Sequence, residues 1–336
     1  MGRSGGNRGR MTGETVLRVF FEQSQAVVRE PRLECKLQKT AAAVLEAGLF
    51  QRAAVQVYAW AYGEKLFGFA GITPREEEWL RSHDVIDPQT YERVHRYAKP
   101  LGGPVYFIPH EQLTRILPGS DEHLLASAVP WRGPGTWHPD DMLYCRLTSS
   151  DGLEMGNLTA DDPFDGKVPD ENTAALLAPF VALAAAVLEQ ELNRRRDTLT
   201  GCFNGACGRD EIERRVASGR RFALVFLDMD NLKEINDRDG HEAGDAEIVR
   251  VAERLRAIVA DLGGYASRLH GDEFVAMLWT DESEEAVASA IERQWAPMLP
   301  DVSFGVAVRR ADESARELLR RAELAMYRSK GWRRRG

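Results

Sequence analysis

One nine-residue stretch constrains this chain more than any other: Ser267-Arg268-Leu269-His270-Gly271-Asp272-Glu273-Phe274-Val275. Two short apolar runs, 265–269 and 274–279, read as strands, and the Gly-Asp between them is a hairpin signal. At the edge of a packed sheet, the hairpin tip would hold two adjacent carboxylates, a setting that suits a hard divalent cation. A solvated acidic turn would show the same letters, so the rest of the chain has to decide between them.

The 336 residues suggest two domains, each with its own core. A formal net charge of -8 argues against a general nucleic-acid binder, with Arg333-Arg334-Arg335 as a local exception. Four cysteines, Cys35, Cys145, Cys202 and Cys207, show no metal-like spacing and read as reduced thiols of a cytoplasmic protein. No apolar run is read as long enough to span a bilayer, so neither a membrane nor nucleic acid is an expected partner. Residues 1–13 are read as a disordered segment; the Gly- and Arg-rich start has no apolar signal core.

Along residues 14–170 the periodicity predicts helices at 14–29 and 35–47, and strands at 53–62 and 66–71. Short helices follow at 73–81 and 88–99, then a strand at 105–108 and a Pro- and Gly-rich loop at 117–141. A hairpin at 142–148 and 153–158 turns around Ser150-Asp151-Gly152. Residues 171–196 carry the strongest helical stripe: Leu177, Phe180, Val181, Ala184, Val187, Leu188 and Leu192. Two readings fit it, a connecting helix that pairs with its copy in a dimer and an ordinary buried terminal helix. From 197 onward a regular order follows: a strand at 221–227, a helix at 246–262, the hairpin, a helix at 282–295, a strand at 302–308 and a helix at 313–330.

The chemistry-bearing residues fall in that second half. Asp228 closes an apolar strand, and Lys233 follows it closely. A carboxylate at a strand end can hold a metal near a phosphate, and the lysine can meet the negative charge. Asn236 and Asp245 offer an amide and a carboxylate, which together can satisfy a guanine edge.

Seven segments then occur in one order: Asp197-Thr-Leu-Thr-Gly201-Cys-Phe-Asn204, Asp228 to Lys233, Asn236-Asp237, Gly240-His241, Gly244-Asp245, Arg268 to Phe274, and Ala322 to Lys330. Over 197–336 this series resembles the GGDEF family of diguanylate cyclases. The resemblance implies an α+β domain, a mostly antiparallel sheet with helices around it, related to nucleotidyl cyclase and polymerase palm domains. It also implies condensation of two GTP into cyclic di-GMP with release of two pyrophosphates. By the same resemblance Asp228, the Met229 carbonyl and Asp272 would hold Mg2+, or Mn2+. Asp272 and Glu273 match the catalytic acidic pair, and Lys233 is counted with them as catalytic. Asn236 and Asp245 match the guanine readers, and Lys233, Lys330 and Arg334 the phosphate contacts. The backbone of Asn231 and Leu232 matches the phosphate-wrapping turn.

Three departures from the family pattern stand out, at five positions. His270 stands where the signature normally begins with glycine, which adds bulk and tolerates φ > 0 less well. Gly205-Ala206 replaces a pair of arginines, and Asp261 and Gly264 replace the arginine and aspartate of the family's product-inhibition motif. An alternative reading is therefore a catalytically degenerate HGDEF module that only binds GTP as a regulatory signal. Residues 14–170 resemble a GAF-type sensor through 141–188, with a PAS-type sensor as the alternative. That resemblance implies an unknown small-molecule or protein input. It also implies a homodimer through the sensor and the 171–196 helix.

Overall fold

The chain's computed structural model describes residues 11–58, 65–82, 88–116, 129–295 and 302–333. The described residues divide into two compact units, the first ending at Glu191 and the second beginning at Leu192.

In the first unit the elements are α1 (Gly13–Arg29), α2 (Leu33–Glu46), β1 (Phe50–Tyr58), β2 (Lys65–Ala70), α3 (Pro74–Ser82) and α4 (Pro88–Tyr97). They continue with β3 (Lys99–Gly102), β4 (Val105–Ile108), α5 (His110–Ile116), β5 (Met142–Thr148), β6 (Glu154–Pro163) and α6 (Glu171–Arg194). The strands form one sheet in the order β2-β1-β6-β5-β4-β3, and every pairing is antiparallel. Strand alternation gives the sheet two different faces. Ala53, Val55 and Val57 line up with Leu158, Ala160, Leu143, Cys145 and Leu147, all buried. On the other face Arg52 pairs with the half-buried Asp161 and Gln56 with Asn157, so the buried polar groups of Arg52, Gln56 and Asn157 lie along that face.

β6 runs five residues past its expected end, because Ala160 to Pro163 keep pairing with β1 as far as Phe50. β3 and α5 were not anticipated. β3 is a four-residue strand with a proline and a glycine, and α5 is a seven-residue helix after Pro109; neither is long enough to show a period.

α6 settles the ambiguity of its stripe. Leu177, Phe180, Val181, Ala184, Leu188 and Leu192 are all buried, and Phe180 stacks on Phe20 of α1 with centroids 4.6 Å apart. The stripe is core, not a free pairing face. α6 is also long and apolar enough by composition to cross a membrane, contrary to the expectation from sequence, yet that stripe packs as a core helix does. What remains exposed is Leu183 on α6, and Leu17, Phe21 and Val28 on one side of α1.

The second unit holds β7 (Phe203–Asn204), α7 (Gly205–Ala217), β8 (Ala223–Met229), α8 (Leu232–Asp239) and α9 (His241–Leu262). After these come β9 (Gly264–His270), β10 (Glu273–Leu278), α10 (Glu284–Trp295), β11 (Val302–Val308) and α11 (Ala315–Arg333). The sheet order is β11-β8-β10-β9-β7, antiparallel apart from the parallel β7–β9 pair. This is the α+β arrangement expected. β8 is interior, and every one of its residues is buried. Ala223, Val225 and Leu227 belong to the layer with Ile248, Val251 and Leu255 of α9 and Val287 and Ile291 of α10. Leu224 and Phe226 belong to the layer with Ile212 of α7 and Leu318, Ala322 and Met326 of α11. β8, β9, β10 and β11 each feed both layers, which is why these strands read as continuous apolar runs.

One glycine sets the height of α11. A Cβ at Gly305 would stand 2.0 Å from the Met326 nitrogen and 2.4 Å from the Ala322 carbonyl oxygen. Only a residue without a side chain lets the helix backbone rest directly on β11.

Candidate active site

Register builds the site. β8 pairs Asp228 with Glu273 on one side and with Ser303 on the other. Partners in register lie on the same sheet face, so Asp228 and Glu273 share the face that α11 covers. From the Gly305–Met326 contact, two residues along β11 advance about 6.6 Å. Four residues along α11 advance about 6 Å. The two steps match and set Lys330 over the strand end. Its ammonium contacts Asp228 Oδ1 and stands 3.4 Å from Asp230 Oδ1.

The hairpin is held from below. Arg268 donates from Nε to the Gly271 carbonyl oxygen at 2.8 Å and pairs through Nη1 with Asp197 Oδ1 at 3.1 Å. Asp197 in turn accepts from the backbone N–H and hydroxyl of Thr200 at 3.0 and 2.7 Å. The Asp197-Thr-Leu-Thr turn therefore anchors the acidic hairpin. The Met229 N–H donates to the Asp272 carbonyl oxygen at 3.2 Å, tying the tip to the end of β8.

His270 does not strain the turn. The left-handed conformation falls on Gly271, with φ 53°, and among the described non-glycine residues only Asp162, Asn231 and Asp312 have positive φ. The expected backbone penalty at His270 is thus corrected. Its exposed imidazole instead reaches Glu273, Nε2 to Oε2 at 3.2 Å.

Electrostatics follow from this crowding. Burial raises the Asp228 carboxyl above its usual range, and Asp272 and Asp230 push the same way against Lys330. Burial also raises Glu273, with Asp228, Asp272 and Glu323 adding to it and His270 opposing. For Lys330 burial alone would lower the pKa, but Asp228 and Asp230 hold it above the ordinary lysine value.

The remaining expected residues lie on α8 and α9. Asn231 takes a left-handed conformation, φ 66°, before α8, with no side-chain cap on the helix. Its first-turn N–H groups are the donors such a start leaves for an anion. Leu232 is half-buried, and Lys233 is exposed. α9 begins at His241, earlier than expected, so Asp245 sits in its second turn and is exposed. A Cβ at Gly244 would stand 2.0 Å from Asn236 Oδ1, so this glycine makes the space the Asn236 amide occupies. Arg334 lies outside the described residues.

Sequence reading overlooked two contributors, Asp230 and Ser303. Ser303 Oγ donates to Asp230 Oδ2 at 2.8 Å, and Ser303 is fully buried. The signal was present: Asp228 and Asp230 are two apart on one strand line, and Ser303 is a lone hydroxyl in an apolar strand. Among the described residues no three His, Cys, Asp or Glu side chains converge as a metal cage. The carboxylates gathered around this strand end are those of Asp228, Asp230, Asp272 and Glu273.

These features define an α+β domain with an acidic, lysine-capped site at the end of its central strands. Residues 194–335 match the family profile described as "Diguanylate cyclase, GGDEF domain". An uncharacterised 19.3 kDa protein from the repSA 5′ region of Streptomyces ambofaciens is 35% identical over 179 residues, covering 50% of this chain and 97% of that protein. The diguanylate cyclase DgcN of Escherichia coli is 41% identical over 97 residues, covering 27% of this chain and 23% of DgcN. Among solved structures, the GGDEF domain of DgcB from Caulobacter crescentus, in complex with c-di-GMP, is 31% identical. That match covers 40% of this chain and 90% of the other, with a TM-score of 0.37. The chain belongs to the GGDEF family, and residues 194–335 form its diguanylate cyclase domain. Apart from the Streptomyces protein, the chain spans less than a quarter of the length of the curated relatives it matches, for example 16% and 19% of two longer signalling proteins.

Proposed function

We propose that this chain condenses two GTP into cyclic di-GMP with release of two pyrophosphates, under control of a GAF-type sensor in its first unit. The observation that carries the reading is the pairing of Asp228 with Glu273 across adjacent strands, with Lys330 above them, in a GGDEF-family domain. Asp228, Asp272 and the Met229 carbonyl fit a magnesium or manganese ion, since few hard oxygen donors leave its other positions to phosphate. When bound, such an ion lowers the charge on the triphosphate. Lys233, Lys330 and Arg334 hold the phosphates, together with the backbone N–H groups that follow Asn231. Asp245 accepts from the guanine ring N–H and amine, and Asn236 bonds the purine edge, so GTP is preferred over ATP. Asp272, supported by Glu273, takes the proton of the 3′-hydroxyl. The 3′-oxygen bonds to the α-phosphorus of the facing nucleotide as the bond to pyrophosphate breaks, and the facing 3′-oxygen does the same in return. Positioning and electrostatics supply most of the rate in such transfers.

The reaction needs two sites face to face, so the active species is a homodimer held through the first unit and α6. Because the Leu177 to Leu192 stripe is buried, pairing uses the outer side of α1 and α6, where Leu17, Phe21, Val28 and Leu183 are exposed. The sensor's input is a small molecule or protein, and the setting is cytoplasmic. The six-stranded antiparallel sheet with a buried polar row on one face supports a sensor role.

A second reading rests on His270, whose contact with Glu273 ties up half of the acidic pair. In it the domain binds GTP without turnover. Incubating the purified full chain with GTP and Mg2+ and separating products by chromatography distinguishes the two. Cyclic di-GMP that disappears in Asp228→Asn supports the first reading, and bound GTP without product supports the second.

A further inference from the structure

We propose that Asp230, fixed by Ser303, is a positioning residue: a second counter-ion that keeps Lys330 at the strand end when the Asp228 carboxylate serves a divalent cation. The inference rests on the functional reading above only in taking Asp228 as a cation ligand.

Three observations carry it. Lys330 is shared, contacting Asp228 and standing 3.4 Å from Asp230 Oδ1. Asp230 is not free to turn, because its other oxygen accepts from Ser303 Oγ at 2.8 Å. Ser303 is fully buried on β11, in register with Asp228, and a hydroxyl has one proton to donate. That proton goes to Asp230 Oδ2, which leaves Oδ1 facing the ammonium.

The electrostatic consequence follows. One ammonium between two carboxylates can give up one partner without losing its place. A cation on Asp228 repels Lys330, and Asp230 then retains it beside the position of the phosphates. Without the Asp230 charge, Lys330 has a single counter-ion and competes with the cation for it. Loss of Asp230 should therefore weaken cation binding through Lys330, and only while Lys330 is present.

A double-mutant cycle isolates that coupling. Mn2+ binding to the nucleotide-free full chain is followed by electron paramagnetic resonance of the free ion in wild type, Asp230→Asn, Lys330→Met and the double variant. Thermal midpoints serve as the folding check. Asp230→Asn is expected to weaken Mn2+ binding about tenfold in the wild-type background, and less than about twofold in the Lys330→Met background. Ser303→Ala should weaken binding in the same direction by about threefold, again only when Lys330 is present. An equal loss in both backgrounds would make Asp230 a direct ligand or a bulk charge effect, and would overturn the proposal. No loss in either background would overturn it as well. If Asp230→Asn does not fold, the Ser303→Ala cycle decides alone. The readout needs no turnover, so a chain that makes no cyclic di-GMP can still pass or fail, and the two readings fail separately.

Discussion

Gly305→Ala is the sharpest perturbation of the site that touches none of its charged groups. The new Cβ would lie 2.0 Å from the Met326 nitrogen, and ordinary contact begins near 3.4 Å, so α11 has to lift by about 1.4 Å. Lys330 lies one helical turn beyond Met326 and moves with it, away from Asp228 and Asp230. Overpacking of this kind costs about 1–3 kcal/mol. For a domain of this size that lowers the melting midpoint by roughly 3–10 °C. A shift of about 1 Å at a positioning group can cost about 10²-fold in rate. Turnover measured at 15 °C, well below the melting transition of both proteins, should therefore fall about a hundredfold while circular dichroism reports an intact fold. Wild-type turnover with a wild-type midpoint would refute the argument that helix height sets the position of Lys330.

Four further outcomes are expected. Gly244→Ala displaces the Asn236 amide, raising KM for GTP about tenfold or more with little change in melting, as competition binding with guanine nucleotides can check. Burial pushes the Asp161 carboxyl up to about 7, with Arg52 opposing and Asp162 adding, so the folded unit binds a proton that the unfolded chain has lost; chemical denaturation should show the first unit gaining stability as pH falls from about 7 toward 4. Phe21→Glu with Leu183→Glu should give monomers by light scattering with low activity at low protein concentration, whereas Val181→Glu should unfold the first unit, because Val181 is fully buried. Progress curves should not stall on product, because Asp261 and Gly264 supply neither the arginine nor the aspartate of the inhibitory motif.

The second unit was largely legible in the sequence because its strands are continuous apolar runs and its carboxylates mark their ends. β8, β10 and β11 were read within two residues of their observed bounds, and Asp228, Asp272 and Glu273 were singled out together. α7 and α8 went unread for a physical reason: both are polar on most sides, and no residue of α8 is buried, so neither shows an apolar period. Asp230 and Ser303 each carried a local mark, but that they meet depends on the pairing of β11 with β8, a tertiary fact that no local pattern carries. The stripe of α6 was visible, but its partner was not. Periodicity reports that a face is covered and is silent on whether the cover is the chain's own sheet or a second copy. His270 shows the opposite error, where a substitution suggested strain that Gly271 absorbs.

The central claim is turnover by the acidic site of the second unit. The full-length chain at micromolar concentration, incubated with GTP and Mg2+, should yield cyclic di-GMP and pyrophosphate in a 1:2 ratio by ion-pair chromatography, and Asp272→Asn should yield none. Retention of all the GTP, with nucleotide bound to the protein and no cyclic product at any protein concentration, would contradict it.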